Sequence, residues 1–200
     1  RQMCIRDRLS LIAAFACVAL YAQTPDYRFG KVSAEELRMT SYDKDPDAAA
    51  VYLYEENSLF YQIDREIGLT SDYRARIKIL KSDGTDQANV SIPYTDEYSV
   101  RESVFGIDAV AYNLVDGKIV KTPLKKQYIF TEQVGENHKL VKFSIPEVRE
   151  GTVIEYKFRK TSKNPTYIPS FRFQHDMPVA RCHMQALIPE FFKFNLNLKG

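Results

Sequence analysis

The chain has no tryptophan and only three cysteines in 200 residues. Two of these, Cys4 and Cys17, lie in an apolar leader, so the remainder carries Cys182 alone. One thiol forms no internal disulfide, and a domain exported to an oxidising compartment must then rely on its core. Glycine is sparse, at eight residues. No Gly-rich phosphate loop, Gly-x-Ser-x-Gly elbow or zinc-helix motif occurs, which removes the common nucleotide, esterase and zincin signatures. Excess charge of one sign is missing too, with 28 Lys and Arg against 26 Asp and Glu. The apolar run Leu9–Ala22 falls short of the roughly 20 residues that cross a bilayer as a helix.

That run follows Arg6 and Arg8 and ends at Ala22, the arrangement of a secretory signal cleaved after Ala22. A lipoprotein cut before Cys17 is the alternative, although Ala14-Phe15-Ala16 is a poor lead-in. The opening Arg1–Arg8 is unlike a natural start and reads as an artefact. Loss of residues 1–22 takes Arg1, Arg6 and Arg8 from the bases and Asp7 from the acids, leaving 25 of each sign. A neutral mature chain gives no electrostatic case for nucleic acid or an anionic membrane.

What is present is aromatic and alternating. Thirteen Tyr and twelve Phe suit pleated surfaces. Thr152, Ile154, Tyr156 and Phe158 fall on one face of a strand, with Val153, Glu155, Lys157 and Arg159 on the other. Tyr73, Ala75, Ile77 and Ile79 alternate with Arg74, Arg76 and Lys78, predicting a charged, exposed face. Asp116-Gly117 is the strongest hairpin signal, and Ser82-Asp83-Gly84 predicts a tight turn. Glu55-Glu56-Asn57-Ser58 reads as a turn between strands at Val51–Tyr54 and Leu59–Ile67. Further strands are expected at Phe171–His175, Ala180–Ile188 and Phe192–Leu198. Before them, Gln23–Val32 reads as an exposed leader, and Ser33-Ala34-Glu35-Glu36 as a capping box opening a short helix to about Met39. The division is therefore a signal peptide 1–22, a leader with short helix and linker 23–48, and a β domain 49–200. Hairpin-linked strands with no crossover helix predict an all-β, antiparallel two-sheet β-sandwich of immunoglobulin-like architecture.

Candidate chemistry is thin. Cys182 and His183 are neighbours on a strand, so their side chains leave opposite faces and cannot form a nucleophile–base pair. Cys182 shares a face with Met184 and Ala186 and reads as a core residue. His175-Asp176 with His183 lacks a third ligand in a metal spacing, and His138 carries no signal. Asp43, Asp45 and Asp47 lack the glycine and terminal glutamate of a calcium loop. The pairs Glu55-Glu56 and Glu147/Glu150 read as solvated turn charges, not as acid and base facing across a cleft. Glu155, in mid-strand, is expected to pair with a base among Arg74–Lys78. No catalytic, cofactor or metal residue is assigned, and no cofactor is expected.

Several runs in order carry a resemblance. They are Arg76-Ile77-Lys78-Ile79-Leu80 with Asp83-Gly84, Ile92-Pro93-Tyr94, and Ala109-Val110-Ala111-Tyr112-Asn113 with Asp116-Gly117-Lys118. Ile145-Pro146 with Gly151-Thr152-Val153-Ile154-Glu155-Tyr156, and Phe173-Gln174 with Met177-Pro178-Val179, complete the set. From about Ala49 to Gly200 the chain resembles the domain of unknown function that precedes a transglutaminase-like domain in exported Gram-negative proteins. The resemblance implies a sandwich module followed by a papain-like domain with a Cys-His-Asp triad. None of the triad positions maps onto this chain, which is expected to be truncated at its C-terminus.

The expected function is a non-catalytic module, periplasmic or at the cell envelope, that positions or gates that downstream domain of the same polypeptide. The alternative is a cell-envelope protein binding glycan or peptide, with Tyr52, Tyr54, Tyr61, Tyr94, Tyr98 and Tyr167 as a stacking platform. An enzyme housed within these residues is the least expected reading. No nucleic-acid partner and no transmembrane span in the mature chain are expected.

Overall fold

The structure is a computed structural model that describes residues 27–193. The expected signal peptide, the leader residues before Tyr27 and the Phe194–Leu198 part of the last expected strand lie outside them. The described residues are mostly β, with two open sheets. In chain order they contain helix α1 (Ala34–Arg38) and strands β1 (Ala50–Ile63), β2 (Ile67–Ile79), β3 (Asn89–Thr95), β4 (Glu102–Val115), β5 (Lys118–Pro123), β6 (Ile129–Gln133), β7 (His138–Ser144), β8 (Val153–Ser162) and β9 (Cys182–Leu187). One sheet has the order β5-β4-β8-β2-β1-β9 and the other β3-β7-β6.

Local chemistry fixes several junctions as the sequence requires. The Ser33 hydroxyl accepts from the Glu36 amide at 3.1 Å while the Glu36 carboxylate accepts from the Ser33 amide at 2.6 Å, closing the capping box. Asp116 and Gly117 both take positive φ, 49° and 75°, as the β4–β5 hairpin demands. The turn joining β1 and β2 is at Asp64–Glu66, however, and not at Glu55–Ser58, because β1 runs unbroken through its polar middle. Ser82–Ala88 is a 3-10 helix whose Gly84 lies so close to Ala49 that an added Cβ would sit 2.3 Å from its carbonyl oxygen. No strand forms at Phe171–His175; that stretch belongs to the long connection from β8 to β9. That connection lets β9 pair parallel to β1, Cys182 opposite Glu55, against the expectation of a wholly antiparallel sheet.

The principal core draws on both sheets: Ala75, Ile77 and Ile79 of β2, Ala109 and Ala111 of β4, Ile154 and Tyr156 of β8, with Ile92 of β3 and Val141 and Phe143 of β7. A second cluster lies on the opposite face of the larger sheet, where Val51, Leu53, Tyr112 and Val153 meet Leu37 of α1. From Tyr27 on, the N-terminal segment therefore covers this face, against the expectation of an exposed leader. That cover also overturns the exposed-face reading of β2: Arg76 is 1% and Lys78 0% accessible. Alternation of greasy and charged residues shows two faces, but not what lies across each of them.

Candidate functional site

Two buried polar clusters flank the larger sheet. The outer one locks the N-terminal segment in place. Glu155, opposite Arg76 on the β2–β8 ladder, accepts from the Arg76 guanidinium at 2.6–2.8 Å, from the Tyr112 hydroxyl at 2.8 Å and from the Gly30 amide at 2.8 Å. Arg76 also pairs with Glu36 of α1 at 2.7 Å, and its guanidinium lies 5.6 Å from the centre of the Tyr27 ring, which stacks on Tyr54. Lys78 donates to the carbonyls of Leu37 and Gly151. Burial holds its ammonium below the ordinary lysine range, at about 8. Such a constellation of satisfied charges fastens one segment to another, and offers little to a ligand.

The inner cluster centres on Glu55. A β-bulge between Tyr52 and Tyr54 shifts the β1–β2 register, and one extra residue reverses which side chains face inward. Tyr52 pairs with Ile77, Tyr54 with Arg76, and Glu55 with Ala75. Glu55 thereby joins the interior, 2% accessible. Its Oε1 accepts from the Tyr73 hydroxyl at 2.6 Å. Its Oε2 meets His175 Nε2 at 2.8 Å and the Cys182 thiol at 3.7 Å. The His175 ring packs at 4.8 Å against Tyr52. Burial, reinforced by neighbouring tyrosines and Glu55, pushes the Tyr73 and Tyr52 hydroxyls well above the ordinary phenol range, so both stay protonated.

Glu55 lines a cavity of about 340 Å³. Asn57, Leu59, Leu69 and Phe158 line it from the sheet, and Tyr167, Phe171 and His175 from the β8–β9 connection. The cavity is apolar with a few convergent polar groups, the usual make-up of a small-ligand site. Asn57, 8% accessible, takes a hydrogen bond from Ser71 on its Oδ1. Its Nδ2 donates to no described residue and, unlike Arg74 Nε, is open to solvent.

The remaining candidates are dispersed. Cys182 faces Glu55 while His183 leaves the other face toward Glu56 at 3.5 Å, so the two do not meet. The core reading of Cys182 needs correction: it is only half-buried and Ala186 is exposed, because β9 is an incompletely covered edge strand. Burial first, then the Glu55 charge, pushes its thiol up to about 11, leaving almost no thiolate at neutral pH. His175 and His183 lie on opposite faces and Asp176 is exposed. Among the described residues no group of three or more His, Cys, Asp or Glu is arranged to hold a metal. His138, Asp43, Asp47, Glu147 and Glu150 are exposed. Of the tyrosines, Tyr52 and Tyr54 are buried on opposite faces, while Tyr98 and Tyr167 are 87% and 63% accessible. They make no common platform. The expected turn charge Glu55 is buried instead, because the β1 bulge turns Glu55 and Asn57 onto the face of Tyr73, a placement that no sequence motif marks.

No curated protein matches the sequence. Among solved structures, that of "a putative protease from Parabacteroides distasonis ATCC 8503" is similar in fold, with TM-score 0.50 at 15% identity over 67% of this chain. The similarity spans only 28% of that protein's length. The profile of the domain of unknown function DUF3857, a family with solved structures, matches residues 68–200. That match takes in two-thirds of the chain, from the start of β2 onward, and the chain belongs to the DUF3857 family.

Proposed function

We propose that the chain is a non-catalytic β-sandwich module of an exported protein, and that it positions or gates a transglutaminase-like or peptidase-like domain in the same polypeptide. The observation that carries this reading is the state of Cys182. Its thiol is held protonated beside a carboxylate, the adjacent His183 points away, and His175 is engaged by Glu55 and not by the sulfur, so the residues of a cysteine nucleophile are present without the arrangement that would activate one. One comparison supports it. The similar fold occupies 28% of a longer protein described as "a putative protease", which leaves room there for chemistry elsewhere. Removal of the leader after Ala22 would deliver the module to the periplasm or cell envelope.

The test extends the coding sequence past Gly200 and assays the longer protein and the 200-residue chain on transglutaminase and peptidase substrates. Activity in the longer protein alone, altered by substitutions at the module's surface, is the expected result. Turnover by the 200-residue chain, lost on a single substitution within it, would overturn the reading. A second reading, a binding protein of the cell envelope, is favoured by the cavity over Glu55.

A further inference from the structure

We propose that the cavity between β1 and the β8–β9 connection binds the amino terminus of a peptide whose first side chain is apolar. This goes beyond the module reading and stands whether or not a catalytic domain accompanies the chain.

The argument begins with the carboxylate. An ionised carboxylate offers about four acceptor positions. On Glu55 three donors are in place: the Tyr73 hydroxyl, the His175 ring nitrogen and the weakly donating Cys182 thiol. One position remains, on a group whose negative charge is otherwise sealed from water. A buried carboxylate is costly unless fully paired, and the vacant position is suited to a cation. Of the nearby basic groups, His175 already occupies Oε2 at 2.8 Å, and the others are spent elsewhere or sit at the mouth. Lys160 pairs with Glu102 at 2.9 Å, and Arg172 is exposed at the cavity's rim.

Two residues along the same face of β1 is Asn57. Its Nδ2 donates to no described residue and opens to the solvent of the cavity, so a ligand carbonyl can reach it in the same wall that holds the Glu55 acceptor. A ligand that answers both carries an ammonium and, a short distance away, a carbonyl. That is the chemistry of an amino-terminal residue. The surface beside them is apolar, from Leu59, Leu69 and Phe158, and a volume of about 340 Å³ takes one or two residues. The peptide would then leave past Arg172, where further carbonyls find a donor. A sugar would supply hydroxyls for Asn57 but no cation for Glu55. A peptide carboxyl end would bring its charge against Glu55 and be repelled.

The experiment titrates the isotope-labelled 200-residue chain with leucyl-alanine amide and, separately, with its N-acetyl form, following the Asn57 side-chain amide by NMR. Free peptide is expected to shift that signal saturably. Acetylation, which removes the charge and one donor, is expected to weaken binding roughly 10- to 100-fold. Glu55→Gln should abolish the discrimination between the two peptides. Should that variant fail to fold, Tyr167→Ala keeps the question open to refutation: its exposed side chain lines the mouth, and its loss should weaken the free peptide several-fold. Equal binding of the free and acetylated peptides, or no saturable shift with either, would overturn the proposal. So would tighter binding of the acetylated form.

Discussion

Glu155→Gln is the sharpest perturbation of the outer cluster. The substitution keeps the volume of a residue that is 1% accessible and removes only its charge and one acceptor. Two guanidinium nitrogens, the Tyr112 hydroxyl and the Gly30 amide all aim at the native carboxylate. A glutamine offers one oxygen to these donors and turns an NH₂ group toward the rest. Breaking a buried ion pair by removing one partner costs about 3–5 kcal/mol. Here Arg76 keeps Glu36 at 2.7 Å, which places the expected loss near the bottom of that range, about 3 kcal/mol. For a domain of this size that lowers Tm by roughly 6–12 °C, measurable by urea and thermal denaturation. Because Glu155 holds the Gly30 amide, trypsin should also cut after the exposed Lys31 faster than in the parent. Arg76→Met alone should lose at least as much as Glu155→Gln, since it strands the buried Glu155 and takes the partner of Glu36 as well. A loss below about 1 kcal/mol, with unchanged cleavage at Lys31, would refute the claim that this pair fastens the N-terminal segment.

Three further outcomes follow from the same geometry. Burial holds the Lys78 ammonium at about 8, below its unfolded value. Above pH 8 the unfolded chain then binds more protons than the folded one, so stability should rise with pH. Relative to Lys78→Met, the parent should gain up to about 2 kcal/mol between pH 8 and 9.5 in urea titrations; a flat difference would refute it. Cys182, pushed from 9.0 to about 11, should be alkylated by iodoacetamide at pH 8 about 100-fold more slowly in the folded than in the urea-unfolded chain. Mass spectrometry of the Cys182 peptide reads this, and comparable rates would count against the burial of the thiol beside Glu55. Gly84→Ala would drive a methyl group against the Ala49 carbonyl. It should cost about 1–3 kcal/mol by calorimetry, and a neutral result would mean that the 3-10 helix moves freely.

Much of this architecture was legible in the residues, and the exceptions share a cause. Asp116-Gly117, the Ser33 capping box and the alternation of β8 depend on near neighbours in sequence, and each appears where expected. Glu155 could be paired with a base on β2 because a charge flanked by Ile154 and Tyr156 needs a cross-strand partner. Glu55 could not be placed. Four polar residues in a row resemble a turn, and only the bulge at Leu53, set by pairing with β2, sends that carboxylate inward. The same holds for Arg76 and Lys78, whose burial depends on a segment some 40 residues earlier. The parallel β9 depends on a connection with no periodic pattern. Local rules are read from a chain in one dimension; covering and register are not.

The strand order bears on how the domain is best cut for expression. The family match begins at Gly68, yet β1, which ends at Ile63, is hydrogen-bonded between β2 and β9 and is the sole supplier of Tyr52, Glu55 and Asn57. A gene trimmed to the family boundary would leave β9 without its neighbour and bare a thirteen-residue flank of β2, an invitation to aggregation. The natural unit starts no later than Tyr27, whose ring is stacked on Tyr54 of that same strand.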